Sequence, residues 1–481
     1  MERERLIRRL IQLVGPDGVV HDRDELALYE YDGSIDMHPP TAVVLPTRVE
    51  QVVAVVQLAA EEGVPVVPRG AGTGLSGGAI PTRGGIQIAL TRMNRILELD
   101  YRNRRALVEP GVINLDLSVA TQPRGYFYAP DPSSQKACTI GGNIAENSGG
   151  PHCLSYGVTT NHVLALEVVL PNGELIWTDG PDSPGYDLTG VLVGSEGTLG
   201  LVTKAWVRLT HLPEAVRVLL AQFGTVVEAS SAVSAIIAAG IVPAALEMMD
   251  GTTCRAVEAA YQVGFPPDVG AVLLVELDGL DDGLDDLAAE IRRICTAQGA
   301  RSVRVATSAE ERAALWNARK MAFGAMGRLA PNYYLHDTVV PRTKLPYTLA
   351  RVEEIGREYD LTIANVFHAG DGNLHPIVLF DRRVPGVVER VLRAGVDIMQ
   401  VCVEVGGTLS GEHGIGLEKR DQMPLIFTAE DLAAMAKLKR SFNPRDLFNP
   451  DKIFPSRVSC GELREIQAGS RKAALLAEYG H

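Results

Sequence analysis

The chain has 481 residues, 46% of them hydrophobic and 22% charged, and 59 Asp+Glu against 46 Lys+Arg leave a formal net charge of −13. At roughly 100–200 residues per domain this length holds two to four domains, with apolar material for a large core, so a disordered or fibrous chain is excluded. The acidic balance argues against nucleic acid as the partner, since phosphate binding needs clustered cations.

The first ten residues, MERERLIRRL, contain no apolar signal-peptide core, and residues 1–30 read as a charged amphipathic helix and a connector. Residues 41–45 (TAVVL) read as a buried strand, and Thr47 and Glu50 have capping-box spacing. Val49, Val52, Val53, Val56 and Ala60 follow at helical spacing, Gly63 ends the helix, and residues 64–67 form a second strand. The three together predict a β-α-β unit.

The segment PRGAGTGLSGG, residues 68–78, contains GxGxxG at Gly72, Gly74 and Gly77. A dinucleotide fingerprint requires a helix directly after the glycines, and here AIPTRGG and a strand at 86–90 follow instead. The Gly-Lys-Ser/Thr of a Walker A loop is also lacking. What remains is a glycine loop between strands, either a plain turn or a nest of backbone N–H groups for a phosphate or pyrophosphate. A second Gly/Asn-rich run covers residues 131–150 and suits close approach of backbone to a flat ligand, with an unliganded surface loop as the plainer alternative.

Residues 163–170, the turn Pro171-Asn172-Gly173 and residues 174–177 predict a hairpin. GSEGTLG at 194–200 precedes a strand at 201–209, and Leu212-Pro213-Glu214 marks a domain boundary. The apolar stretch 229–246 reads as a helix ending near Gly240 rather than a membrane span, because Gly240 and Pro243 interrupt it. Beyond it, strands at 271–277 and 303–305 alternate with helices at 284–298 and 309–326, an α+β or split β-α-β pattern.

The six cysteines, Cys138, Cys153, Cys254, Cys295, Cys402 and Cys460, form no CxxC pair. That spacing supports no disulfide scaffold, zinc ribbon or cysteine-held iron–sulfur cluster and fits a reducing cytoplasm.

The strongest local signal is FHAGDGNLH at residues 367–375. Asp371-Gly372 is a two-residue hairpin turn signal, and with it at the tip Gly370 pairs with Asn373, Ala369 with Leu374 and His368 with His375. Opposed residues share a face, so the two imidazoles can share one metal ion. Pro376 limits this to an edge strand or a strand end. In GGTLSGEHGIG, residues 406–416, Glu412 offers a third ligand and His413 a base. His, His and Glu with open positions describe a catalytic divalent site, zinc by ligand type, with manganese and iron left open. Arg319 lies on a predicted helix; taken alone it reads as a solvated surface residue, and in a site it is a carboxylate anchor.

Together the motifs PRGAGTGLSGG, PDPSSQKACTIGGNIAENSGG, GSEGTLG, HAGDGNLHP, GEHGIG and the LFNPDK of residues 447–452 resemble the flavin-dependent oxidases of the vanillyl-alcohol oxidase (PCMH-type) superfamily. Within it the chain is similar to the GlcD-type subunits of bacterial glycolate oxidase, with D-lactate and D-2-hydroxyglutarate dehydrogenases as near relatives. The resemblance covers roughly residues 20–456. It implies an α+β fold: a lead-in at 1–37, a two-subdomain PCMH-type FAD-binding domain at 38–213, a ferredoxin-like α+β substrate domain at 214–456 whose last part returns to the flavin, and a tail at 457–481.

The resemblance implies non-covalent FAD. Arg69, Gly70, Ala71, Gly72, Thr73, Gly74 and Ser76 then cradle the pyrophosphate. Pro130, Asp131, Ser134, Thr139, Gly141, Gly142, Asn143 and Ala145 line the isoalloxazine and ribityl side. Glu196, Gly197 and Val202 meet the adenosine half, and Asn449 returns to the flavin. It further implies His368, His375 and Glu412 as ligands of a divalent metal, zinc by ligand type, His413 as base and Arg319 as carboxylate anchor. The implied reaction oxidises a small D-2-hydroxy acid, glycolate or D-lactate, by hydride transfer to flavin N5. The alternatives are a D-2-hydroxyglutarate dehydrogenase and, from another class, a zinc hydrolase. The apolar residues 376–380 after His375 favour a monocarboxylate. Electrons would pass to GlcE-like flavin-domain and GlcF-like iron–sulfur subunits or to a quinone. The expected setting is the cytoplasm, with peripheral contact at the inner membrane face through those subunits and homo-oligomers also open.

Overall fold

A computed structural model describes residues 2–180 and 184–455; Cys460 and the tail expected at 457–481 lie outside the described residues. The chain divides into two compact units. The first draws on Met1–Ser148, Val158–His211 and Glu412–His481, and the second on Gly149–Gly157 and Leu212–Gly411.

The first unit carries a four-stranded sheet in the order Val19–Val20, Ala42–Val44, Ile86–Ala89, Val66–Arg69. Helix Val49–Glu62 connects Ala42–Val44 to Val66–Arg69, and Ile86–Ala89 lies between those strands, parallel to both. The helix buries Val52, Val55, Val56, Leu58 and Ala59 and closes on Gly63, whose left-handed φ of 67° suits glycine. The capping box expected at Thr47 and Glu50 does not form. The helix starts one residue later, with Arg48 as the flanking residue, and Gln51 Oε1 accepts the Thr47 backbone N–H at 2.8 Å. A five-stranded antiparallel sheet follows, in the order Ile96–Asp100, Arg105–Val108, Leu201–Arg208, Val163–Val169, Leu175–Trp177, with the predicted hairpin at its end.

The C-terminal segment returns to the first sheet. Val66 N–H donates to Leu447 O and Asn449 N–H to Val66 O, both at 2.8 Å, and Phe448 joins Val44, Val52, Val66 and Ile86 in the core. This return satisfies a strand edge that would otherwise present unpaired backbone groups.

The second unit is an α+β layer. Its antiparallel sheet runs Ser302–Val305, Ala215–Phe223, Ala271–Gly279, Ala245–Asp250, Thr362–His368, Asn373–Leu374, Thr338–Val339, with Pro376–Phe380 pairing both Thr362–His368 and Asn332–Leu335. Helices Val226–Ala238, Leu284–Ala297, Leu345–Glu358 and Val387–Glu404 accompany it. The helix expected over 309–326 is interrupted: Ala309–Lys320 ends at Met321 and a short turn, Ala322–Ala325, follows.

Buried Asn443 holds the returning segment in place. Its Nδ2 donates to Thr198 O at 3.1 Å and Phe448 O at 2.9 Å, and its Oδ1 accepts Leu447 N–H at 3.0 Å. Asn443→Ala strands these backbone groups and is expected to cost at least about 1–3 kcal/mol of stability. A denaturation midpoint equal to that of the unaltered chain would contradict this.

Candidate functional site

In the first unit the two glycine-rich segments meet. Arg69 ends its strand with its side chain buried and donates from Nη1 to Tyr31 O at 2.8 Å. The next residue, Gly70, lies so close to Thr139 that a Cβ there would sit 2.6 Å from Thr139 Oγ1. Gly72 has φ +73°, a backbone that glycine adopts at little cost. The second segment is not the plain surface loop of the alternative reading throughout: Thr139 caps a short helix, Ile140–Glu146, by accepting the Gly142 N–H at 3.2 Å. Gly141 N–H donates to Pro110 O, and a Cβ on Gly141 would lie 2.6 Å from Pro110 Cβ.

Beside these segments lies a cavity of about 410 Å³, lined among others by Ala71, Ile96, Gly111, Val112, Ala137 and Thr139. That size and the mixed apolar and small-residue wall suit part of a large planar cofactor. Buried Asn114, which no sequence motif marks, directly follows the cavity-lining Ile113. Its Nδ2 donates to Pro130 O at 2.9 Å and Asn143 Oδ1 at 3.0 Å, tying together two residues expected at the flavin. Ser134 O closes a turn by accepting Ala137 and Cys138 N–H, and Asp131 is half-buried.

Glu196, Gly197 and Asn449 fasten the returning segment to the glycine loop. Glu196 N–H donates to Ala145 O at 2.8 Å. Its carboxylate accepts the N–H groups of Ile415 at 2.7 Å and Gly416 at 2.8 Å. Asn449 Nδ2 donates to Gly78 O at 2.9 Å and Glu196 O at 2.6 Å. Leu417 N–H reaches Ser76 O at 2.8 Å. Gly197 (φ +65°) packs against Pro68, and Val202 stands on Leu201–Arg208 opposite Val168. Glu146, also missed from sequence, faces Ser76 Oγ, and burial raises its carboxyl well above the usual range, with the Glu196 charge adding to the rise. Glu412 and His413 begin this unit's last segment.

In the second unit His368 and His375 stand together, their ring centroids 5.1 Å apart at an interplanar angle of 84°. The expected register is corrected. His368 pairs with Asn373, not His375, and residues 369–372 form the tip. Asp371 N–H bonds back to His368 O and Gly372 N–H to Ala369 O, which widens the turn by two residues. A shift of two keeps the face, so His375, two residues past Asn373, still points to the same side as His368. Pro376 opens the strand Pro376–Phe380, where its missing N–H costs least.

Arg319 is not a surface residue: it is 1% exposed. Its Nη2 lies 2.6 Å from Glu247 Oε2, and Glu247 Oε1 lies 2.6 Å from His368 Nδ1. Burial pushes the Glu247 carboxyl up, but the charges of His368 and Arg319 outweigh it and hold the group below its ordinary range. Asp337, buried as well, stands 3.7 Å from His375 Nε2 and accepts Ser410 Oγ–H at 2.7 Å and Gly411 N–H at 2.9 Å. Sequence reasoning missed both carboxylates. The available signal was a lone acid inside an apolar strand, as in the AALEMM of residues 244–249, where a buried charge must find a partner. His152, which follows the second glycine run, donates to Glu276 at 3.1 Å and stacks on Trp316 with centroids 5.3 Å apart.

Residues 40–179 match the FAD binding domain family and residues 212–453 the C-terminal domain of FAD linked oxidases. Over 96% of its length the chain is 45% identical to glycolate oxidase subunit GlcD of Escherichia coli (strain K12), covering 92% of that protein. It is 35% identical to a D-lactate dehydrogenase of Archaeoglobus fulgidus, over 88% of this chain and 95% of the other. Among solved structures, p-cresol methylhydroxylase with substrate bound superposes with a TM-score of 0.79 at 19% identity, over 93% of this chain and 96% of that one, which speaks for the fold. The chain belongs to the FAD-linked oxidase family.

Gly70→Val is expected to force the two glycine segments apart, and the purified variant should carry much less flavin per chain than the unaltered protein. An unchanged flavin content would remove the Gly70–Thr139 approach from the cradle.

Proposed function

We propose that this FAD-linked oxidase converts a small D-2-hydroxy acid, glycolate or D-lactate, to its 2-oxo acid. The observation that carries the reading is the buried cluster of Arg319, His368 and His375 around Glu247. It occurs in a chain whose relatives include a glycolate oxidase subunit and a D-lactate dehydrogenase.

The first unit fits FAD held without a covalent bond. Close-packed glycines let Arg69–Ser76 offer backbone N–H groups to the pyrophosphate. Pro130, Asp131, Ser134, Thr139, Gly141, Gly142, Asn143 and Ala145 are assigned to the isoalloxazine and ribityl side, Glu196, Gly197 and Val202 to the adenosine half, and Asn449 to the returning contact. Bound FAD supplies the acceptor for the hydride from substrate C2.

His368 and His375 suit a divalent ion, zinc by donor type, with Glu412 as third ligand. Support for Glu412 comes from the GEHGIG motif at residues 411–416. Such an ion supplies Lewis acidity to the substrate hydroxyl. The chain's own groups do the rest. Arg319 binds the carboxylate; its Nε, buried and without a hydrogen-bond partner among the described residues, leaves a donor on the guanidinium edge for a two-point contact. His413 takes the hydroxyl proton on a ring nitrogen. Phe323, with its ring 6.5 Å from that of His375, and the buried strand Pro376–Phe380 favour a short, apolar substrate tail.

Electrons from the reduced flavin leave to partner subunits, a GlcE-like flavin-domain protein and a GlcF-like iron–sulfur protein, at the cytoplasmic membrane face. Among the described residues no helix is long and apolar enough to cross a membrane, so in this proposal the partners make the membrane contact.

Turnover with an artificial electron acceptor tests the reading. Glycolate and D-lactate should be oxidised, and L-lactate and D-2-hydroxyglutarate slowly or not at all. His368→Ala and His375→Ala should lose turnover with flavin content unchanged, and near-normal turnover in either would remove the metal role. Arg319→Lys loses the planar fork and should raise KM on the order of tenfold to a hundredfold. Fastest turnover on D-2-hydroxyglutarate would overturn the monocarboxylate assignment.

A further inference from the structure

We propose that Glu247 is a positioning residue that fixes the metal-binding tautomer of His368 and the orientation of Arg319 through one carboxylate. The inference rests on the histidine site of the preceding section and adds a residue outside its expected set. Glu247 sits on Ala245–Asp250 directly opposite His368 in the antiparallel register, so the two side chains share a face of the sheet. The carboxylate is wholly buried and each oxygen has its own partner: Oε1 lies 2.6 Å from His368 Nδ1 and Oε2 lies 2.6 Å from Arg319 Nη2.

Two consequences follow from that geometry. A carboxylate accepts hydrogen bonds only, so the imidazole hydrogen stays on Nδ1 and Nε2 carries the lone pair that a metal takes. The same carboxylate is the anion facing buried Arg319, and its position sets where the guanidinium edge points. Metal affinity and substrate-carboxylate affinity are therefore coupled through one residue. Burial alone would not couple them.

The test uses the flavin-loaded full chain and zinc as probe. Glu247→Gln preserves shape and removes the charge. Zinc affinity, read by competition with a chelator, should fall about 10–100-fold, the range for loss of a partner behind a metal-bound histidine. KM for D-lactate should rise in parallel while flavin content holds. Glu247→Gln also leaves Arg319 as a buried unpaired cation, so the double variant Glu247→Gln/Arg319→Met supplies the control. It should regain thermal stability while its zinc affinity stays low. Normal zinc affinity in Glu247→Gln, or its recovery together with stability in the double variant, would reduce Glu247 to a structural ion pair and overturn the proposal. An unaltered chain that binds no zinc yet is reduced by D-lactate would overturn it and leave the reaction standing. Zinc loss in Glu247→Gln, in a chain whose flavin no hydroxy acid reduces, would uphold the positioning role and sink the reaction.

Discussion

A carboxylate with no exposure in the middle of a sheet is tolerable only where cations or hydrogen-bond donors meet it. Desolvation costs several kcal/mol per ion, and the return requires close, oriented partners. Glu247 meets that condition with Arg319 on one oxygen and His368 on the other. The pairing draws a helix residue, Arg319 of Ala309–Lys320, and a strand residue, His368 of Thr362–His368, onto one point of Ala245–Asp250. Asp337 follows the same logic beside His375, with Ser410 and Gly411 both donating to its Oδ2. Both histidines thus stand next to a buried carboxylate, and a carboxylate that accepts the Nδ1 hydrogen of His368 orients its ring.

In the proposal the first unit meets a different need with backbone. A large anionic cofactor needs N–H groups at close range, and side chains obstruct that approach. Gly70, Gly72 and Gly141 sit where a Cβ would meet Thr139, Arg69 or Pro110. A loop packed so tightly needs support, and the C-terminal segment provides it. Glu196 grips the backbone of Ile415 and Gly416, Asn449 bridges Gly78 and Glu196, and Phe448 fills the core beside Val66. Residues far apart in sequence thereby close one unit.

Much of this was legible in the chain. Apolar periodicity located the helix Val49–Glu62 and the hairpin around Asn172-Gly173, and a rejected Rossmann reading left a glycine loop between strands, as found. The motifs implied the family and the cofactor. The remainder depended on tertiary choices. Local signals could not say that Ile86–Ala89 inserts between two strands joined by a helix, or that Thr139 starts a helix among glycines. The histidine turn brought His368 and His375 to one face as expected but with a register displaced by two, because Asp371 and Gly372 bond back into a wider tip. Arg319 read as a surface residue because its counter-charge lies 72 positions earlier, at Glu247, beyond any local pattern.

The most direct test of the central claim is an anaerobic visible spectrum of the purified protein, taken before and after addition of glycolate, D-lactate and L-lactate in turn. The account predicts an oxidised flavin spectrum that bleaches with glycolate or D-lactate and stays unchanged with L-lactate. A chain that holds no flavin after reconstitution with FAD, or a bound flavin that none of the three acids reduces, would contradict it.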